Sequence, residues 1–137
     1  MKKLLAGGLL LVALGGLVLL SLPTILHKAG LHPTYSGPTV PLPGKRALII
    51  TTSHDVLAAP GETEGEATGV MASELTHPYY TFLDGGMDVD LASIQGGEIP
   101  IDPQTLRFMV KSPEDERYLN DKLAQAKVNN AIPIAGV

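Results

Sequence analysis

A chain of 137 residues has room for one domain, and its formal net charge of −4 gives no basic footprint for nucleic acid. It has no cysteine, which excludes disulfides, thiolate metal sites and any thiol nucleophile.

Lys2 and Lys3 precede a leucine-rich run, Leu4 to Leu26, that carries no charge and has no polar face. About 20 apolar helical residues cross the ~30 Å hydrocarbon layer, so residues 1–28 are expected to form a transmembrane helix, with the lipid bilayer as partner through residues 4–26. A cleavable signal has an apolar region of roughly 7–15 residues followed by a small-x-small site. Ser21-Leu22-Pro23 lacks that pattern, so a single-pass anchor is expected, with secretion after signal cleavage as the alternative. Lys2, Lys3 and the amino terminus before the run, against Lys28 after it, favour an inside amino terminus. The soluble part is then extracytoplasmic, which means periplasmic in a bacterium. Residues 29–44 contain Gly30, Pro33, Gly37, Pro38, Pro41, Pro43 and Gly44, and predict an extended spacer.

Residues 45–137 read as the soluble domain. Arg46 to Thr52 is an apolar run without alternation, which predicts a strand buried on both faces of a parallel sheet. Residues 53–68 are polar and read as a long loop. From Gly69 onward, Met71, Leu75, Pro78, Tyr79 and Phe82 share one third of a helix circumference at about 100° per residue. Gly85-Gly86 gives the stop, and Pro78 predicts a kink packed on the apolar stripe. Residues 87–93 alternate, with Met87, Val89 and Leu91 on one face and Asp88 and Asp90 on the other, as in a strand. A loop follows. Ser112 as N-cap, Pro113 at the first position and Asp115 at the third then open a helix whose buried side is marked by Leu119, Leu123 and Ala126. Asn129-Asn130 ends it, and residues 131–137 are uncommitted. The order strand, helix, strand, helix predicts an α/β fold with a right-handed crossover.

Sites in such folds form where strands end and helices begin. Ser53, His54 and Asp55 follow the first strand, but adjacent residues cannot converge as a catalytic triad, which is assembled from separate segments. His54 and Asp55 are expected to line a pocket at most, and a polar turn is the plainer reading. Glu74 lies early in the helix, on the border of the apolar stripe, where a carboxylate can face a cleft or simply favour the helix dipole. His77 and Glu74 are two candidates and do not make a metal site. No metal and no cofactor are expected.

The segment Thr68 to Pro103, "TGVMASELTHPYYTFLDGGMDVDLASIQGGEIPIDP", resembles the amino-terminal part of the ThiJ/PfpI family of the class I glutamine amidotransferase-like superfamily. Within it the segment is most similar to the branch of glyoxalase III-type enzymes and holding chaperones. The resemblance implies a flavodoxin-like parallel sheet, here an incomplete one. It implies that Glu74 is the acid that hydrogen-bonds a cysteine nucleophile, and that the chemistry is cofactor-independent glyoxalase or hydrolase action on small carbonyls. That cysteine follows later strands in the family, so this chain is expected to be truncated before it and inactive alone. The alternative is an anchored chaperone-like or partner-binding module, with a second copy or a full-length relative as partner.

Overall fold

Two compact units divide the chain, residues 1–36 and 37–137. The computed structural model describes residues 2–30, 37–38 and 40–137, with side chains in the first helix from Gly7 onward. In the first unit, α1 (Lys2–Lys28) runs unbroken through Pro23. Its segment Gly7–Lys28 has a mean hydropathy of 2.5 and is long and apolar enough to cross a bilayer, a property that signal sequences near an amino terminus share.

Of the expected spacer, residues 31–36 and 39 lie outside the described residues. Its last part is not a free tether. The Leu42 N–H donates to the Gly85 carbonyl at 2.8 Å, satisfying an acceptor just past the end of a helix. The second unit therefore starts ahead of residue 45.

That unit is mixed α/β, built on a parallel three-stranded sheet. β1 (Arg46–Thr51) and β4 (Asp88–Ser93) pair in register from Arg46 with Asp88 to Thr51 with Ser93. β5 (Ile132–Pro133) adds to the far side of β4, giving the order β1-β4-β5. Residues 53–68 are not all loop, because β2 (Val56–Leu57) and β3 (Glu66–Ala67) close a short antiparallel hairpin. Between the first parallel strands runs α2 (Ala72–Asp84). It ends as its glycines require. Gly86 has φ +84°, its N–H bonds the Leu83 carbonyl, and the Met87 N–H reaches back to Phe82. This is a Schellman stop, which needs a left-handed residue that glycine supplies at no steric cost.

Ser112 caps α3 (Pro113–Asn120) in a full capping box with Asp115. The expected single helix then breaks. The Asp121 backbone is extended and its carboxylate accepts from the N–H groups of Leu123 and Ala124, starting α4 (Lys122–Asn129). An aspartate offers this local cap in competition with the helical ladder. The break resets the buried side. Ala124 and Val128 face the core, whereas Leu123 is 79% exposed and Leu119 and Ala126 are also exposed, contrary to expectation.

The core comprises Leu75, Tyr79 and Tyr80 of α2, Val89 and Leu91 of β4, Ile99, Ala124, Val128 and Ala131. Full burial of an aliphatic side chain such as Leu75 contributes about 1.5–3 kcal/mol. The buried sector of α2 is Ala72, Leu75, Thr76, Tyr79 and Tyr80, so Met71 and Phe82 from the expected stripe lie at its exposed margins. The shift has a cause on the other side of the helix: α3 packs there, and Asp115 buries Thr76 with a 2.6 Å hydrogen bond.

Burial also departs from expectation in β1. Ala47 and Ile49 pack on the core, but Arg46, Leu48 and Ile50 are exposed. The helices cover one face of the sheet; on the opposite face, Leu48 and Ile50 lie open among the described residues.

The α2–α3 seam carries the clearest electrostatic signature. Arg117 clasps Asp84 through two hydrogen bonds of 2.8 and 2.9 Å and lies 4.0 Å above the Tyr80 ring. Those bonds hold the Asp84 carboxyl below its ordinary range. Burial first, then the charge of Asp121, raises both Tyr79 and Tyr80; burial, then Glu98, raises Tyr118. The unfolded phenols titrate near pH 10, so below that pH the folded state loses nothing. Above it the unfolded state releases protons first, and stability falls as pH rises toward the higher folded values. We expect an alkaline unfolding transition above about pH 10, followed by circular dichroism alongside phenolate absorbance, and a shallower loss in Tyr80→Phe. Phenolate from Tyr79, Tyr80 or Tyr118 appearing ahead of unfolding would contradict this account.

Candidate functional site

The carboxyl ends of β1 and β4 and the first turn of α2 meet at one edge of the sheet. Two close approaches shape it. The Ser53 hydroxyl accepts the Gln95 N–H at 2.9 Å, latching the exit of β1 to that of β4. Gly69 lies so near Pro100 that a Cβ there would come within 2.2 Å of its carbonyl oxygen. A glycine is required for this contact, through which the Val70 N–H bonds Pro100 and the Asp102 N–H bonds Val70.

Between β1 and α2 the result is an open cleft of about 400 Å³, lined by Ile49 to Thr52 on one side and by Gly69 to Met71 with Glu74 and Leu75 on the other. Glu74 thus stands at the carboxyl edge of the parallel sheet, on a cleft, as its place early in the helix predicts. It is exposed rather than half-buried, and among the described residues no hydrogen bond or ion pair engages its carboxylate. Its environment is that of an acid open to a partner from outside.

His54 and Asp55 are exposed and do not line this cleft. The His54 N–H donates to the Thr52 hydroxyl at 2.9 Å, and the Asp55 carbonyl accepts from the Thr68 N–H ahead of α2. Both belong to the irregular segment between β1 and β2, and Asp55 extends the β2–β3 pairing by one bond. His77 lies 3.2 Å from Glu114 of α3 and is taken up by that contact, away from Glu74. Among the described residues no three His, Asp or Glu side chains gather as a metal-ligating group.

One cleft residue escaped the sequence reading. The Thr51 hydroxyl is buried at the last position of β1 and has no hydrogen-bond partner among the described residues. The only signal for it in the sequence is a threonine ending an apolar strand, which is common and unspecific. Chemically the cleft offers an acceptor in Glu74, hydroxyls in Thr51 and Thr52, and apolar walls in Ile49, Val70 and Leu75. That set can bind and orient a small polar group. It contains no thiol.

No family model and no curated protein matches the chain. Among solved structures it is similar to the Francisella tularensis Rapid Encystment Protein 24 KDa, REP24, with 38% identity over 68% of this chain and a TM-score of 0.57. A second solved structure, of an APC protein, shows 33% identity over 64% of this chain and 34% of its own, at a TM-score of 0.47. This chain spans 39% of the length of REP24, and over the matched region the two share an α/β core.

Proposed function

We propose that this chain is the acid-bearing part of a membrane-anchored ThiJ/PfpI-like site, with Glu74 as the acid and the nucleophile supplied by other polypeptide. The observation that carries the reading is the position of Glu74, unengaged on an open cleft at the carboxyl edge of a parallel sheet. A carboxylate so placed can share a proton with a neighbouring thiol and help to set its protonation state. The chain's own sequence has no cysteine to share it with. By resemblance, the completed site is flavodoxin-like and acts on small carbonyls such as glyoxals without a cofactor. The apolar α1 serves as anchor, with the second unit outside the cytoplasm. A partner-binding module without catalysis is the second reading, and the open sheet face beside Leu48 and Ile50 favours it.

The experiment is a turnover assay in detergent. The purified full chain should leave methylglyoxal untouched. The chain co-expressed with the part of REP24 outside the match should consume it, through a partner thiol that iodoacetamide blocks. Turnover by the chain alone that disappears in Glu74→Gln would show a self-sufficient site and overturn the two-part reading. An assembled pair without turnover would leave partner binding as the function.

A further inference from the structure

We propose that the loop leading into α3 is a second membrane contact, whose apolar tip Phe108-Met109-Val110 lies in the interface of a bilayer with anionic headgroups. This takes from the reading above only the placement of α1 in a bilayer, and it is independent of the chemistry at Glu74. Three consecutive large apolar side chains are exposed here, Phe108 at 55%, Met109 at 45% and Val110 at 40%. One exposed apolar residue is ordinary on a protein surface, but an unbroken run of three calls for something apolar to cover it. The run is held out by the backbone. The N–H groups of Val110 and Lys111 both donate to the Arg107 carbonyl, at 2.9 and 3.0 Å, closing a turn with Phe108 and Met109 at its tip. Ahead of that turn the Thr105 hydroxyl donates to the Asp102 carbonyl at 2.6 Å and accepts the Ala72 N–H of α2. After it, the capping box of Ser112 and Asp115 fixes the start of α3. A loop tied at both ends loses little further conformational freedom on docking, which a small contact needs.

Two observations favour lipid as the occupant. The first is the tether. From Lys28, the end of α1, to Leu42, where the second unit is already hydrogen-bonded, the chain can reach no more than about 50 Å. With α1 in a bilayer, the loop is kept at high effective concentration beside that surface, so three side chains need not act as an anchor alone. The second is charge. Basic residues flank the tip on both sides, as Arg107 and Lys111. Lys111 is drawn to Glu116 of α3, whereas no ion pair engages the Arg107 guanidinium among the described residues. An anionic headgroup supplies the charge that Arg107 lacks while its acyl chains receive Phe108 and Met109. The nearby acids are occupied: Glu116 by Lys111, Glu114 by His77, and Asp102 by the Gln104 N–H at 2.8 Å.

The chain has no tryptophan, so a single introduced one reports on its own surroundings. The full chain is reconstituted in nanodiscs of phosphatidylglycerol and phosphatidylcholine, with or without bromine on the upper part of the acyl chains. Bromine should quench the fluorescence of Phe108→Trp at least about 3-fold more strongly than that of Leu57→Trp, on the exposed hairpin. Adding Arg107→Glu to the first variant should cut its quenching at least about 3-fold, while the circular dichroism stays unchanged. Leu14→Trp, within α1, reads the anchor separately. Quenching in α1 with position 108 no more quenched than position 57 would overturn the proposal and leave the anchor in place. Quenching at position 108 without quenching in α1 would keep the loop and remove the anchor. No quenching at either position would remove both. A blue-shifted emission at position 108 that bromine does not quench, and that needs two chains per disc, would assign the tip to a second copy and overturn the proposal.

Discussion

Asp115→Ala should destabilise the second unit by about 3 kcal/mol, lowering its melting temperature by roughly 15 °C. Asp115 is 1% exposed, and each of its carboxylate oxygens has an assigned partner. One accepts from the Thr76 hydroxyl at 2.6 Å and the other from the Ser112 N–H at 2.7 Å, while the Asp115 N–H donates to the Ser112 hydroxyl. Truncation leaves two buried donors without acceptors, at about 1–3 kcal/mol each, and removes half of a helix cap. Asp115→Asn is the discriminating control. Its amide oxygen can still accept from Ser112 and its amide N–H can donate to the Thr76 oxygen, so it should cost about 1 kcal/mol. Thermal melts of the full chain in detergent measure both. Equal losses in the two variants would mean that these bonds are not what the carboxylate contributes. The bond matters beyond stability, because Thr76 lies two residues from Glu74 on α2 and ties the position of that helix to α3.

How far this molecule was legible follows from how local each cause is. Ser112, Pro113 and Asp115 announce α3 because a cap is decided within four residues. Gly85-Gly86 announces the end of α2 for the same reason. β1 was readable from an apolar run and β4 from alternation, and their parallel order from the helix between them, whereas the two-residue strands β2, β3 and β5 left no such pattern. What could not be read depends on contacts remote in sequence. The rotation of α2 toward Thr76 is set by Asp115, far along the chain. Leu119 and Leu123 look like core residues until Asp121 breaks the helix and turns α4 onto Ala124 and Val128. The β1 run looks buried on both faces because its composition suits that state, and only tertiary structure reveals that Leu48 and Ile50 stay exposed among the described residues. The same distinction divides the site. Glu74 is at the sheet edge because it is early in a helix, a local fact. Its exposure depends on whatever adjoins the cleft, and no local pattern encodes that.

The largest functional effect is expected at Glu74, and it separates the two groups of residues that the sequence singled out. In the assembly with the REP24 remainder, Glu74→Gln should lower kcat for methylglyoxal about 100-fold or more, the usual loss when a positioned proton-transfer group is removed. Glutamine keeps the size and polarity of the side chain but cannot take or share the proton of a thiol. KM should change little, because Glu74 is only one of several groups lining the cleft and Thr51 and Thr52 remain. His54→Ala and Asp55→Ala should each stay within about 2-fold of the parent in kcat/KM, since both side chains lie off the cleft in an exposed connection. The reverse pattern, with His54→Ala crippling and Glu74→Gln mild, would move the chemistry to the segment after β1 and leave the carboxylate as a helix-terminal charge. A third pattern, with all three variants equally weakened and their melting temperatures lowered in parallel, would trace the loss to folding. The prediction therefore calls for melts on the same samples, and Glu74, exposed and outside the core, should pass that control unchanged.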